Sequence, residues 1–178
     1  MIIELDNIQN VNFNKSCIQR LIHEADWKLS VDQNYHTDNV SQGFSDTGML
    51  FVSYSKIDRI GQDNNFVFFN NVAQIIFNSV LINLDFEFKN IELKRFLWNY
   101  YNKSSTGVLH QDYNQPDWYS IVYNFSDSDG GTVIENKFVE GKQGRAVLFP
   151  SIYNHRGVGP TTSLHRFALN IVFTAEIE

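Results

Sequence analysis

Apolar and polar positions change rhythm along the chain. Early on, Ile18, Leu21, Ile22 and Ala25 share a helical face behind Ser16-Cys17-Ile18-Gln19, which reads as a capping box. Ala73, Ile76, Phe77, Val80, Leu81 and Leu84 mark a second helix, capped by Asn70 or Asn71, with Gln74 and Asn78 on its other side. The remainder reads as short strands, at residues 49–54, 66–69, 92–101, 118–125, 131–135, 145–149 and 166–174. Turn-forming runs separate the later ones: Ser126 to Gly131, Glu140 to Gly144, and Gly157 to Pro160. Strands so spaced, without helices between them, predict an antiparallel sandwich or barrel. No repeat or linker divides the chain, so residues 1–178 read as one domain. About 1–90 form helical support and leading strands, and about 91–175 form the core.

The last strand is the most informative. Phe167, Leu169, Ile171 and Phe173 point to one face, which should pack on the two helices. Arg166, Ala168, Asn170 and Val172 point to the other. A guanidinium buried without a partner is costly, so an anion is expected inside.

Composition narrows the class. The 178 residues are 43% hydrophobic, 15% aromatic and 19% charged, which fits a packed, sheet-rich domain and excludes a disordered acidic tail. The lone cysteine, Cys17, rules out an internal disulfide and a thiolate zinc site, and a reducing, cytoplasmic setting fits best. A net charge of −6 with scattered Lys and Arg makes nucleic acid a poor partner. No apolar run is long enough to span a membrane, and the N-terminus lacks the pattern of a signal peptide. The excess of Asn over Ala hints at an AT-rich, viral type of coding sequence.

Candidate chemistry lies in His110-Gln111-Asp112, with His155 43 residues further on. On extended chain, positions i and i+2 share a face and suit two ligands on one metal. Two imidazoles and a carboxylate make the facial triad of non-haem Fe(II) sites. A His-x-Asp match alone is weak, arising in about one chain in three of this composition. His36-Thr37-Asp38 also matches, but its polar, loop-like surroundings give no sheet to hold ligands, and it reads as a solvated loop. The second match gains from context, because Arg166 follows His155 by 11 residues on the inward face of the next strand.

From about Glu92 to Phe173 the ordered set of Tyr100, His110-Gln111-Asp112, Gly130-Gly131-Thr132, Gly144 to Phe149, His155-Arg156-Gly157 and Arg166 to Asn170 resembles the 2-oxoglutarate- and Fe(II)-dependent dioxygenases. Its flavour is that of the prolyl-hydroxylase-like branch, including short oxygenases of phages. The resemblance implies a mainly β double-stranded β-helix (jelly-roll, cupin-like) with N-terminal helices on its major sheet. It implies Fe(II) held by His110, Asp112 and His155, and 2-oxoglutarate as co-substrate. Arg166 would pair with its distal carboxylate, Tyr100 would hydrogen-bond that carboxylate, and Asn124 would contact the co-substrate or support its pocket. Strand register leaves Asn99 and Tyr101 as alternatives to Tyr100. Where many relatives carry Arg-x-Ser, Ala168 stands at the Ser position.

The implied activity is hydroxylation of a peptide or protein side chain such as proline, or of a small metabolite; the retained Asp112 disfavours halogenation. Residues 34–46, 58–65 and 111–117 read as substrate loops. Other residues have ordinary readings: Arg156 as a loop cation, His165 as surface or helix-facing, His23 as a helix surface residue and Trp98 as core. The rivals are a cupin-like metal protein without an oxo-acid, and a non-catalytic virion or partner-binding module on the same fold.

Overall fold

The structure, a computed structural model, describes residues 1–25, 27–29, 48–56 and 67–178. The elements in chain order are β1 (Ile3–Leu5), α1 (Val11–Glu24), β2 (Lys28–Leu29), β3 (Gly48–Ser55), α2 (Val67–Ile82), β4 (Phe88–Asn102), β5 (Trp118–Asn124), β6 (Ser128–Ile134), β7 (Lys137–Gly141), β8 (Ala146–Pro150), β9 (His155–Val158) and β10 (His165–Ile177). Seven strands form one sheet in the order β1-β8-β5-β10-β4-β3-β2, and β7-β6-β9 form a second. Every pairing within them is antiparallel. This is the expected jelly-roll with two helices on its larger sheet.

Period-two alternation on the central strands builds two cores. Phe167, Leu169, Ile171 and Phe173 of β10, with Phe96 and Trp98 of β4, face Cys17 and Leu21 of α1 and Phe69, Ala73, Ile76 and Val80 of α2. Between the sheets lies a smaller cluster of Val122, Ile134, Val139, Val147, Phe149 and Ala168. Trp98 is core as expected, its indole N–H donating to Ser53 Oγ at 2.9 Å.

Element ends differ from the sequence expectation for local reasons. Helix α1 starts a turn and a half before the capping box, because Asn10 caps it by accepting from the Phe13 N–H at 2.9 Å. Residues 67–69 open α2 instead of forming a strand: Phe69 joins the helix face of Ala73, Ile76 and Val80, so the aromatic run follows helical period. The short edge strands β1, β2, β7 and β9 carry too few alternating residues to stand out. The suggested substrate loops 34–46 and 58–65, and the rejected pair His36 and Asp38, lie outside the described residues.

One irregularity sits close to the candidate site. On β10, Val172 pairs with Arg95 but Phe173 pairs with Leu93, so Lys94 is an extra residue in a β-bulge. Leu93 and Phe96 both pack into the helix-side core, while Arg95 reaches into the barrel and Lys94 lies over the inward Trp118 ring.

Candidate metal centre and the arginines beside it

His110 and His155 are brought together by backbone pairing. The His110 N–H donates to His155 O at 3.0 Å, and the His155 N–H to His110 O at 2.8 Å. Two residues on, Asp112 is anchored by its own N–H to Ser151 O at 3.1 Å. One ligand atom from each of the three side chains lies within 4.8 Å of the others.

The tautomers suit a metal. His110 Nδ1 lies 2.9 Å from Val108 O, and His155 Nδ1 lies 3.0 Å from Tyr153 O. A neutral ring that donates from Nδ1 turns a bare Nε2 inward. His155 Nε2 then faces Asp112 Oδ2 at 3.3 Å and His110 Nε2 faces Oδ1 at 3.9 Å. A cation between these facing lone pairs satisfies all three, and the donor set of two imidazoles and one carboxylate suits a divalent transition metal. Burial above all pushes the His110 pKa down to about 4, so the ring stays neutral and ready to ligate at ordinary pH.

Asp112 is held from all sides. Ser120 Oγ donates to Oδ2 at 2.7 Å, Asn170 Nδ2 donates to the same oxygen at 2.9 Å, and Arg95 Nη2 donates to Oδ1. Ser120 and Ser151 share a further hydroxyl contact at 2.7 Å. Burial opposes the carboxylate charge, but His155, whenever its ring carries a proton, and Arg95 outweigh it and hold the carboxyl well below its usual range.

Arg166 is 1% exposed. Its Nε donates to Asn124 Oδ1 at 2.8 Å, Nη1 to Gly131 O at 2.6 Å and Val158 O at 3.5 Å, and Nη2 to Thr132 Oγ1 at 2.9 Å. All four acceptors are neutral, and among the described residues no carboxylate pairs with it. Tyr101 pairs across from Arg166 on β4 and puts its ring 5.0 Å from the guanidinium carbon. Gly157 makes room for that ring, since a Cβ there would lie 2.1 Å from the Tyr101 hydroxyl oxygen.

One expectation changes in detail. Tyr100 does not face the candidate pocket. It packs on the helix side against Phe167, Trp27 and His165, with ring centroids 5.1, 6.1 and 6.2 Å away. The buried Phe96 and Trp98 fix that register, and one step along the strand turns Tyr101 inward. Asn124 points inward and accepts from Arg166 Nε, the supporting one of the two roles expected of it. His165 packs beside Tyr100 and Phe167 on the helix side, in line with its sequence reading.

Arg95, Ser120, Ser151 and Thr132 were not candidates from sequence. Arg95 shares the parity of Tyr101, so a strand with Tyr100 inward would turn it to the opposite face. The serines and threonine are common strand residues and carry no signal without their neighbours.

No family model matches the sequence, and no curated protein matches it. Solved structures do match. HygX from Streptomyces hygroscopicus, with nickel and 2-oxoglutarate bound, aligns at TM-score 0.64 and 10% identity over 97% of this chain and 82% of that one. A Pseudomonas putida prolyl-4-hydroxylase aligns at TM-score 0.60 and 11% identity, covering 98% and 92%. A Trichoplax adhaerens prolyl hydroxylase in complex with a hypoxia inducible factor peptide fragment aligns at TM-score 0.61 and 13% identity, covering 97% and 83%. At these identities the likeness is one of fold, and it runs nearly the full length of the chain.

Proposed function

We propose that this chain is a 2-oxoglutarate- and Fe(II)-dependent dioxygenase that hydroxylates a peptide side chain or a small molecule. The observation that carries the reading is Arg166. A guanidinium held on four neutral acceptors deep between the sheets is a receptor for an anion. It stands in the same barrel as three converging metal-ligand side chains. A dicarboxylic oxo-acid joins the two features, with one carboxylate for the arginine and an oxo-acid end for the metal. A cupin-like metal protein without an oxo-acid has no need of that arginine inside the barrel, and a non-catalytic module would be marked by a lost ligand, where all three are in place.

In this reading His110, Asp112 and His155 hold Fe(II), which supplies the oxygen chemistry when bound. One O₂, one 2-oxoglutarate and one C–H bond give succinate, CO₂ and the C–OH product. The protein positions and protects. Val108 O and Tyr153 O fix the imidazole tautomers, and Ser120, Asn170 and Arg95 fix the carboxylate. Asn124 and Thr132 orient the Arg166 fork toward the co-substrate, and the Tyr101 hydroxyl offers the distal carboxylate a further donor. Val122, Val147, Phe149 and Ala168 line the space between with apolar surface and exclude water.

The substrate class follows the fold relatives only loosely. One was solved with a peptide fragment, and HygX was also solved with hygromycin B. Titrating anaerobic Fe(II) protein with 2-oxoglutarate should give a metal-to-ligand charge-transfer band, and aerobic protein should release succinate. Arg166→Ala should still bind Fe(II) but lose at least about 3 kcal/mol, over 100-fold, of 2-oxoglutarate affinity. Arg166→Lys, which keeps the charge and loses the fork, should fall between. A wild-type protein without the band overturns the assignment, and an Arg166→Ala protein of unchanged affinity overturns the role of the arginine.

A further inference from the structure

Arg95 is the second arginine inside the barrel, and its fork is half used. Among the described residues its hydrogen bonds all leave from Nη2, to Asp112 Oδ1 and to Asn170 Oδ1 at 3.4 Å. Nε is buried and has no partner. A buried N–H without an acceptor costs about 1–3 kcal/mol, more on a charged group, so the site is incomplete as it stands.

Position separates Arg95 from the co-substrate. Along the inward face of β10, Arg166 comes first, then Ala168, then Asn170 on the Asp112 carboxylate, then Val172, which pairs with Arg95. At about 3.3 Å per residue, Arg95 stands some 20 Å of strand from Arg166. The two cations therefore bracket the triad. A 2-oxoglutarate anchored at Arg166 fills one side of the metal, and Arg95 faces the other. Its side chain is 17% exposed, so a ligand can reach it.

The bulge strengthens the case. By adding Lys94 it lays that side chain over the Trp118 ring, Nζ 5.2 Å from the centroid, with its charge already paired to Glu92 Oε2 at 2.7 Å, so Arg95 is the cation left facing the site. Trp118 stacks on Tyr113, one residue past Asp112, with ring centroids 3.6 Å apart. Arg95, with this aromatic pair nearby, offers a charged anchor for an oxyanion attached to a flat or apolar body. Charge balance agrees. With Fe(II), the co-substrate dianion, Asp112 and both arginines in place, the site keeps one positive charge and lacks one negative.

We propose that Arg95 is the substrate-recognition residue and that the substrate carries a carboxylate or another oxyanion near the carbon it presents to the metal. This rests on the oxygenase reading above and adds the substrate's charge to it.

The test measures 2-oxoglutarate consumption by the Fe(II) protein in the presence of matched probes. The pairs are N-acetyl-aspartate amide against its asparagine partner, the glutamate against the glutamine compound, and phosphoserine against serine. An acidic member should stimulate turnover and its neutral partner should not. Arg95→Lys should raise the KM for that probe about tenfold and Arg95→Gln about 100-fold, in line with a lost charged hydrogen bond. The KM for 2-oxoglutarate should move far less in both. Stimulation by neutral partners equal to that by acidic ones, no stimulation by any acidic probe, or an Arg95→Gln protein of unchanged probe KM overturns the inference. So does a rise in the 2-oxoglutarate KM as large as that for the probe, which would make Arg95 only a support for Asp112. A wild-type protein without the 2-oxoglutarate-dependent band strikes the oxygenase reading itself, so the two failures are distinct.

Discussion

Tyr100 and Tyr101 are chemically identical and adjacent, yet they live in different surroundings. Tyr100 packs among Trp27, Phe167 and His165. Tyr101 stands over Arg166, and burial pushes its phenol pKa up, so it remains a hydrogen-bond donor throughout the working pH range. Removing the Tyr101 hydroxyl should therefore raise the 2-oxoglutarate KM about tenfold, the lower end for a hydrogen bond to a charged group. Tyr100→Phe should leave it unchanged. The two variants assayed side by side at fixed Fe(II) decide the matter. An effect in Tyr100→Phe alone would mean that β4 pairs one residue out of the register described, exchanging its two faces.

Elements carry the lesson about what could be read beforehand. The alternation on β10 was legible because Phe167, Leu169, Ile171 and Phe173 all pack on the helix side, leaving Arg166 and Asn170 as anomalies of pattern on the other face. The triad was legible because its order and strand context could be seen in one chain. On β4 the alternation is blurred by Trp98, Tyr100 and Tyr101 in succession of aromatic residues, and by a bulge that no turn residue announces. Register there is set by packing against α2 and β10, which is long-range information. The N-terminal strand is fixed by another such contact. Asp6, just after β1, accepts from Arg145 Nε at 2.7 Å and Lys142 Nζ at 2.8 Å. The hydrogen bonds from Arg145 and then Lys142 lower its pKa from 3.8 to about 2. A depressed folded-state pKa means the unfolded chain binds the proton more readily. The stabilisation is thus complete above about pH 4 and lost as pH falls toward 2. Asp6→Asn should lower stability at neutral pH and flatten its decline across that acid window, measured by urea unfolding at a series of pH values. Because Asp6 is partly exposed, the effect should shrink in high salt. An Asp6→Asn protein with an unaltered acid limb would show that β1 is held by its backbone pairing with β8 alone.

At the scale of the whole molecule, the two sheets are fastened differently at their two ends. At one end Arg166, from β10 of the larger sheet, donates across to Gly131 O and Thr132 Oγ1 of β6 and reaches Val158 O of β9. At the other end His155 opens β9 in the smaller sheet, while Asp112 is tied by side-chain bonds to β4, β5 and β10 of the larger one. Those two side chains face each other across 3.3 Å as lone pair to lone pair when the imidazole is neutral, so a cation between them would complete the second fastening. Metal binding should therefore act as a clamp on the fold as well as a centre of chemistry. A ligand that binds only the folded chain stabilises it by about 2.7 kcal/mol at a hundredfold excess over Kd, which is roughly 5–10 °C in Tm for a chain of this size. Mn(II) serves as a probe that does not oxidise in air. Thermal unfolding of the wild type should shift upward by that amount with saturating Mn(II) and return with a chelator. His155→Ala should lose the shift, and Arg166→Ala should keep it, because its guanidinium is not a ligand. An equal shift in His155→Ala would place the bound ion elsewhere, and no shift in the wild type would mean that the three side chains do not close on a metal.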